Sequence, residues 1–166
     1  MILTIALLLL FAAVPSPDRL TPSSARTPVP NFTLTDASGR ALSLSAYRGD
    51  VVLLDFWATT CGGCKVEIPW YIEFLKKYRV QGLAVIGVSM DDDGMQVVKP
   101  FLAAHGIDYP VVIGNDELAN RFKVSEMPMT LLIDRSGRIA LSHTGIVDKA
   151  NFEHQIQLLL AERLVP

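Results

Sequence analysis

An apolar segment runs into a pair of cysteines and then into a helical pattern, and this order constrains the fold most. Residues 51–57 read VVLLDFW, and Cys61 and Cys64 follow before the helical pattern of residues 66–78. So continuous an apolar run predicts a central strand that is covered on both faces. A cysteine between such a strand and a helix faces unpaired N–H groups and the positive end of the helix dipole, which favour the thiolate. The pattern therefore predicts dithiol–disulfide chemistry, in which one cysteine attacks and the other resolves.

The size and charge of the chain limit the number of domains and the classes of partner that are expected. A chain of 166 residues is long enough for one domain with a hydrophobic core and too short for two of ordinary size. The formal net charge is −2 and the sequence has no basic run, so no nucleic-acid partner is expected. Two cysteines are too few for the disulfide framework of a small secreted protein.

The N-terminal region is predicted to lie outside the domain. Residues 1–14 form an uninterrupted apolar run that is close in length to a signal-peptide core and shorter than the roughly 20 residues of a spanning helix. We therefore expect export, with this run either cleaved or kept as a membrane anchor. Residues 15–27 are rich in Pro, Ser and Thr and are predicted to be a linker. The domain is expected to occupy residues 28–166.

The rest of the chain predicts an α/β fold. Phe32 and Leu34, and after a Ser-Gly turn Leu42 and Leu44, alternate with polar residues as in a β-hairpin. Beyond the cysteines, strand and helix patterns alternate and close with a hairpin, which is typical of a mixed sheet flanked by helices. The predicted strands are residues 83–89, 109–113, 129–133 and 139–143, and the predicted helices are 66–78, 95–105, 117–122 and 150–164.

Several segments together resemble the thioredoxin superfamily and, within it, the TlpA/ResA-like branch. The residues WATTCGGC at 57–64, followed by Met127-Pro128, carry the resemblance to the superfamily. The segments VPNFTL at 29–34 and LLIDRSG at 131–137 resemble the TlpA/ResA-like branch. The resemblance implies a thioredoxin-like fold with an N-terminal β-hairpin and a central helix/strand insertion, and it implies a thiol-disulfide oxidoreductase activity.

The resemblance also implies roles for individual residues. It makes Cys61 the attacking thiol and Cys64 the resolving thiol. A cis peptide bond between Met127 and Pro128 is implied to bring the Met127 backbone beside Cys61, where it can pair with an extended substrate. No cofactor is expected beyond the redox-active cysteine pair, and no metal ion. The surface expected to bind the substrate consists of Trp57, Thr60, Gly62, Gly63, Met127 and Pro128.

Two acidic residues close to the cysteines are candidate proton-transfer groups. Asp55 lies in the apolar strand before Cys61 and matches the buried Asp that thioredoxins place as proton acceptor for the resolving cysteine. Burial there should raise the pKa of its carboxyl. Glu67 lies one turn after Cys64 and resembles the active-site Glu of ResA-type proteins; a carboxylate there opposes thiolate formation and can relay a proton. The alternatives are a hydrogen-bonded core Asp and a solvated helix Glu.

The chain departs from the family pattern beside the cysteines. Thr60 stands where the family usually has Trp, which removes an aromatic wall from the substrate surface. Gly63 replaces the common Pro, which loosens the start of the helix. His105, His143 and His154 are far from the cysteines in sequence and are expected at the surface or at helix ends.

Three functions remain open for such a cysteine pair. The first is a monomeric thiol-disulfide oxidoreductase that reduces protein disulfides outside the cytoplasm and takes electrons from an upstream thiol–disulfide donor; apocytochrome c is one substrate that the resemblance allows. The second is a peroxiredoxin-like peroxidase, although neither cysteine follows the Pro-x-x-x-Thr/Ser-x-x-Cys pattern of a peroxide pocket. The third is a metal-binding module, for which two thiolates are an incomplete ligand set. The acids at residues 91–93 are consecutive, unlike those of a calcium loop, and are expected to form a solvated loop that caps the next helix.

Overall fold

A computed structural model of the protein describes residues 19–162. The apolar run at residues 1–14, predicted to be a signal peptide or an anchor, lies outside the described residues. So do residues 15–18 of the predicted linker and residues 163–166. Within residues 19–162, no helix combines the length and the apolarity that a membrane crossing requires.

A six-stranded mixed sheet forms the centre of the described chain. Six of the eight strands in the described residues form this sheet, and the other two form a separate hairpin. The strands are β1 (Thr27–Pro28), β2 (Thr33–Thr35), β3 (Ala41–Ser43), β4 (Val51–Trp57), β5 (Leu83–Ser89), β6 (Val111–Ile113), β7 (Met129–Ile133) and β8 (Arg138–Thr144). The order in the large sheet is β1-β8-β7-β4-β5-β6, and β2 pairs with β3. Because β4 is parallel to β5 and antiparallel to β7, the apolar run is a central strand, as predicted.

Every residue of β4 is buried, and its side chains alternate between two hydrophobic cores. Leu53 and Trp57 belong to the first core, and Leu54 and Phe56 belong to the second. Because successive side chains of a strand point to opposite faces, Asp55 lies on the same face of the sheet as Leu53 and Trp57.

Four α-helices cover the two faces of the sheet. They are α1 (Gly62–Tyr78), α2 (Met95–His105), α3 (Asp116–Phe122) and α4 (Lys149–Ala161). Apolar residues of α1, α2 and α4 join the first core, whereas those of α3 and of the hairpin region join the second. The predicted α/β fold is confirmed, with its N-terminal hairpin and with α2, β6 and α3 inserted between β5 and β7. α1 begins at Gly62 rather than at residue 66, since Cys61 is its N-cap.

Part of the predicted linker is packed against the domain. Leu20 contacts the first core, the N–H of Thr21 donates to the carbonyl of Ala140 at 2.7 Å, and β1 pairs with β8. Residues 20–27 are therefore part of the fold, and the domain begins before residue 28.

Arg26 attaches this N-terminal segment to the end of the chain. Its side chain is 3% exposed, and its guanidinium lies 3.0 Å from the Asp134 carboxylate and 2.6 Å from that of Glu162. Both partners are more than 100 residues away in sequence, so the local composition of Pro, Ser and Thr could not indicate them. These ion pairs are the physical reason why residues 20–27 belong to the fold and not to the predicted linker.

We expect Arg26→Ala to lower the free energy of unfolding by about 3 kcal/mol, because it leaves the Asp134 carboxylate buried without its cation. Unfolding in urea measures the change. Arg40→Ala is the matched control. Arg40 pairs with Asp36, but its side chain is 77% exposed, so this substitution should change the free energy of unfolding by less than about 1 kcal/mol. Equal losses in the two variants would show that Arg26 does not hold the N-terminal segment in place.

Candidate active site

Cys61 and Cys64 form a disulfide at the N-terminus of α1, with their Cα atoms 5.3 Å apart. Sγ of Cys61 accepts a hydrogen bond from the backbone N–H of Cys64 at 3.1 Å. When the disulfide is reduced, this N–H and the helix dipole favour a thiolate at Cys61. Cys61 is half-buried, whereas Cys64 has no exposed surface. A partner protein can therefore reach Cys61 and not Cys64.

Two loops border the disulfide and expose apolar side chains. The Met127–Pro128 peptide bond is cis, as the resemblance implies. The side chain of Met127 is 40% exposed and that of Ile146 is 50% exposed, whereas Pro128 is buried. A Cβ atom at Gly63 would lie 3.1 Å from Cδ of Pro128 and 3.1 Å from Cγ1 of Ile146. The glycine that stands in the usual Pro position thus allows both loops to approach the start of α1 closely.

The Asp91 side chain forms hydrogen bonds with the segment that precedes Cys61. The Asp91 carboxylate accepts hydrogen bonds from the backbone N–H of Thr59 at 2.9 Å, from its hydroxyl at 2.5 Å and from the hydroxyl of Ser89 at 2.8 Å. The prediction that these acids cap α2 is wrong, since the N-cap of α2 is Gly94 and makes no side-chain hydrogen bond. Asp91 instead fixes the backbone two residues before Cys61.

The predicted substrate surface needs one correction. Thr60 and Gly62 are exposed beside the disulfide. Trp57, in contrast, is 0% exposed and packs against Phe101 in a tilted arrangement, with ring centroids 5.1 Å apart. A direct contact between Trp57 and a substrate is therefore wrong. Because β4 is buried on both faces up to its last residue, Trp57 supports the loop from the core.

Asp55 is 1% exposed, and within residues 19–162 neither oxygen of its carboxyl has a hydrogen-bond donor. The alternative of a hydrogen-bonded core Asp is therefore wrong for the part of the chain that is described. Burial raises the pKa of Asp55 well above its ordinary value, and the nearby Glu67 carboxylate raises it further.

Glu67 is 0% exposed, so the alternative of a solvated helix residue is wrong. Its Oε1 accepts a hydrogen bond from the backbone N–H of Val147 at 2.7 Å. Burial raises the pKa of Glu67, and the Val147 N–H, the Tyr71 hydroxyl and the His143 ring act in the opposite direction. Glu67 therefore has groups that stabilise its charge, which Asp55 lacks.

Sequence reasoning missed three residues around these carboxyls. The hydroxyls of Tyr71 and Thr130 are 2.8 Å apart in the core, and His143 is half-buried near Glu67 rather than remote from the site. The spacing of Glu67 and Tyr71 by one helical turn was visible in the sequence. Thr130 and His143 are brought there by the register of β7 with β8, which no local pattern reveals.

Comparison with known proteins agrees with this geometry. The model of the AhpC/TSA family matches residues 25–142. The chain belongs to the AhpC/TSA family. Among curated relatives of this AhpC/TSA protein, the thiol-disulfide oxidoreductase ResA of Geobacillus kaustophilus (strain HTA426) is 35% identical over 129 residues, which cover 77% of this chain and 74% of that protein. ResA of Bacillus subtilis (strain 168) is 30% identical over 131 residues, which cover 78% and 73%.

A solved structure shows the same fold. The AhpC/TSA chain superimposes with a TM-score of 0.78 on a Chlorobium tepidum chain described as a thiol:disulfide interchange protein DsbE. The two are 33% identical, and the match covers 82% of this chain and 97% of that one. The predicted membership of the thioredoxin superfamily and the thiol-disulfide oxidoreductase activity are thereby confirmed.

The raised pKa of the Asp55 carboxyl should make the free energy of unfolding depend on pH. The pKa of Asp55 is raised on folding, so the unfolded chain releases the proton at a lower pH than the folded protein does. The folded state therefore loses stability as pH rises from about 4 towards the pKa of folded Asp55. We expect Asp55→Asn, which does not titrate, to raise the free energy of unfolding at pH 7 relative to the unchanged protein, by an amount that declines towards pH 3.5.

Urea unfolding of the oxidised protein between pH 3.5 and pH 8 measures this difference. Asp92→Asn, at an exposed position, is the control and should leave the pH dependence as it is. Parallel pH curves for Asp55→Asn and the unchanged protein would contradict the raised pKa.

Proposed function

We propose that this oxidoreductase reduces disulfides of other proteins outside the cytoplasm. The observation that carries the proposal is the unequal exposure of the two bonded sulfurs: Cys61 is half-buried at the helix N-terminus and Cys64 is sealed behind it. A sulfur that a partner protein can reach suits the attack, and a sulfur that it cannot reach suits the intramolecular resolution.

The reaction consists of two exchanges at Cys61. In the reduced protein, the Cys61 thiolate attacks one sulfur of the substrate disulfide, and the other substrate sulfur leaves as a thiolate. Cys64 then gives up its proton to a carboxylate and attacks Sγ of Cys61, which displaces the second substrate sulfur. Two electrons have passed to the substrate, and the Cys61–Cys64 disulfide must next be reduced by an upstream dithiol donor.

The surface around Cys61 supports a protein substrate. Met127 and Ile146 expose apolar side chains, and single apolar side chains of a substrate can pack against them. Thr60, Gly62 and Gly63 are small, so an extended segment can lie close to the sulfur and pair with the backbone of Met127. Apocytochrome c is one protein whose disulfide fits such a surface.

The two buried carboxyls divide the proton chemistry. Asp55, whose pKa is raised by burial, takes the proton of Cys64, because a carboxylate with a raised pKa is a stronger base. Glu67 lies one helical turn beyond Cys64, and its negative charge opposes the thiolate at Cys61. These proposed proton transfers use only side chains of the protein and require no cofactor beyond the cysteine pair.

The apolar run at residues 1–14 supports the proposed location outside the cytoplasm. Its length fits the core of a signal peptide, and if it is not cleaved it would tether the protein to the membrane. We propose a monomer, since one chain carries both cysteines and both carboxyls.

Reduction of insulin with dithiothreitol as donor tests the activity. We expect Cys61→Ser to lower turnover by about 1,000-fold or more, because the attacking sulfur is removed. Cys64→Ser should retain the attack and accumulate the mixed disulfide, which makes it the matched control. Undiminished turnover of Cys61→Ser would refute the role of Cys61 as the attacking thiol.

The reduction potential of the Cys61–Cys64 pair tests the direction of electron flow. A potential close to the roughly −270 mV of thioredoxin is expected for a reductase. A value near −120 mV, roughly that of DsbA, would indicate an oxidant and contradict the proposed direction.

Titration of the Cys61 thiolate by its absorbance at 240 nm tests the carboxyls. We expect Glu67→Gln to lower the pKa of Cys61, since it removes a nearby negative charge. Asp55→Asn should slow the resolving step in single-turnover experiments by about 10- to 100-fold, since it removes the proton acceptor. Glu73→Gln, at an exposed position of the same helix, is the control. An unchanged titration in the first variant and unchanged kinetics in the second would show that the acids are structural.

A further inference from the structure

Asp91 joins the end of β5 to the turn that carries Cys61. Its carboxylate accepts the backbone N–H of Thr59 through both oxygens, at 2.9 and 3.1 Å, and the Thr59 hydroxyl at 2.5 Å. The turn is closed by the N–H of Cys61, which donates to the carbonyl of Ala58 at 3.0 Å. Asp91 therefore holds the second residue of a turn whose last residue is Cys61.

One peptide group transmits this contact to Cys61. The carbonyl of Ala58 and the N–H of Thr59 belong to the same peptide unit, which is planar and rigid. Its N–H is bound by Asp91, and its carbonyl binds the N–H of Cys61. Because the unit is rigid, fixing the direction of the N–H also fixes the direction of the carbonyl. The Asp91 carboxylate thus restrains the backbone of Cys61.

The groups that hold Asp91 belong to the central sheet. The Ser89 hydroxyl donates to the Asp91 carboxylate at 2.8 Å and lies 3.2 Å from the Asp91 N–H, which donates to it. Ser89 is 0% exposed and is the register partner of Trp57, the last residue of β4. The N–H of Met90 adds a hydrogen bond of 2.8 Å to the carbonyl of Trp57. The position of Asp91 is therefore set by β4 and β5.

We propose that Asp91 is a positioning residue for the attack by Cys61. The inference rests on the proposed function, in which the Cys61 thiolate attacks the substrate disulfide. Sγ of Cys61 accepts the N–H of Cys64 because the Cys61 backbone occupies the N-cap position of α1. In the reduced protein the S–S bond no longer restrains Cys61, so the contact from Asp91 keeps it at the N-cap. The thiolate is thereby stabilised, and its sulfur stays at the rim of the helix.

The charge of Asp91 and its hydrogen bonds act on Cys61 in opposite directions. A negative charge near a thiol opposes its ionisation, whereas a firmly held N-cap position favours it. Asp91→Ala removes both the charge and the hydrogen bonds. Asp91→Asn removes the charge but keeps an oxygen for Thr59, and its NH2 group can donate to the Ser89 hydroxyl, which accepts as well as donates. The two variants therefore differ in hydrogen bonding and not in charge.

The pKa of the Cys61 thiol in these two variants tests the proposal. It is titrated by ultraviolet absorbance in a Cys64→Ser background, where Cys61 is the only thiol. We expect the pKa of Cys61 to be about one unit higher in Asp91→Ala than in Asp91→Asn, since a hydrogen bond to a charged group contributes about that much. With Cys64 present, kcat/KM for insulin reduction should fall about tenfold in Asp91→Ala, because the sulfur is held less well, and stay within about twofold in Asp91→Asn.

Asp92→Ala and Thr59→Val complete the series. Asp92 is the exposed neighbour of Asp91, and its substitution is the matched control that should leave the pKa of Cys61 and kcat/KM unchanged. Thr59→Val deletes the hydroxyl that Asp91 binds and keeps the backbone N–H. We expect it to raise the pKa of Cys61 by less than Asp91→Ala does. It tests the same contact from the Thr59 side even if Asp91→Ala fails to fold.

The outcomes separate positioning from a structural role and from the activity itself. If Asp91→Ala lowers the unfolding midpoint but matches Asp91→Asn in the pKa of Cys61 and in kcat/KM, Asp91 is structural and the inference is wrong. A lower pKa of Cys61 in Thr59→Val, or an effect of Asp92→Ala as large as that of Asp91→Ala, would also contradict it. Each of these results leaves the proposed function standing, whereas undiminished turnover of Cys61→Ser would overturn that function.

Discussion

The complete burial of β4 determines where the chemistry takes place. Since both faces of the strand are covered, the chain can return to the surface only after Trp57, and α1 begins five residues later at Gly62. Cys61 therefore occupies the N-cap position and receives the Cys64 N–H. The difference in exposure between the two sulfurs follows from this geometry, because the helix carries Cys64 down against the core while Cys61 stays at its rim.

The same burial makes the polar side chains below the disulfide costly. A buried carboxyl without a donor loses the solvation that stabilises its charge, and Asp55 is in this position within the described residues. Glu67 has the Val147 N–H as partial compensation. A core built only for stability would carry apolar residues at both positions. The cost is consistent with groups whose pKa must lie high enough to exchange protons with a thiol.

Much of the fold could be predicted because the boundaries are marked locally. The strand at 83–89 and the helix at 95–105 agree with the structure at both ends. Gly82 precedes the strand and Gly94 and Gly106 flank the helix, each with a positive φ that favours glycine. The errors have a different origin. The local sequence predicts a linker around Arg26, because the partners of Arg26 lie at the far end of the chain. It predicts Trp57 at the substrate surface, whereas the burial of the strand extends through Trp57.

The candidate site could be predicted only as far as local spacing reaches. The cysteine pair, Asp55 and Glu67 are visible in the sequence because they lie within one strand–helix unit. Thr130 and His143 join the site through antiparallel pairing across three strands, and a shift of one residue in that register would turn both side chains to the other face. Their contribution therefore depends on the assembled sheet.

The loop at residues 145–147 connects the outer surface of the site with its interior. Ile146 is half exposed and lies over Gly63 at the start of α1. The next residue, Val147, is buried and donates its N–H to Glu67. Two adjacent residues thus serve opposite sides of the disulfide, one towards a substrate and one towards a buried carboxylate. Because a peptide unit is rigid, the position of Ile146 on the surface and the hydrogen bond to Glu67 are set by one short backbone segment. The absence of a side chain at Gly63 is what allows that segment to lie so close to the helix.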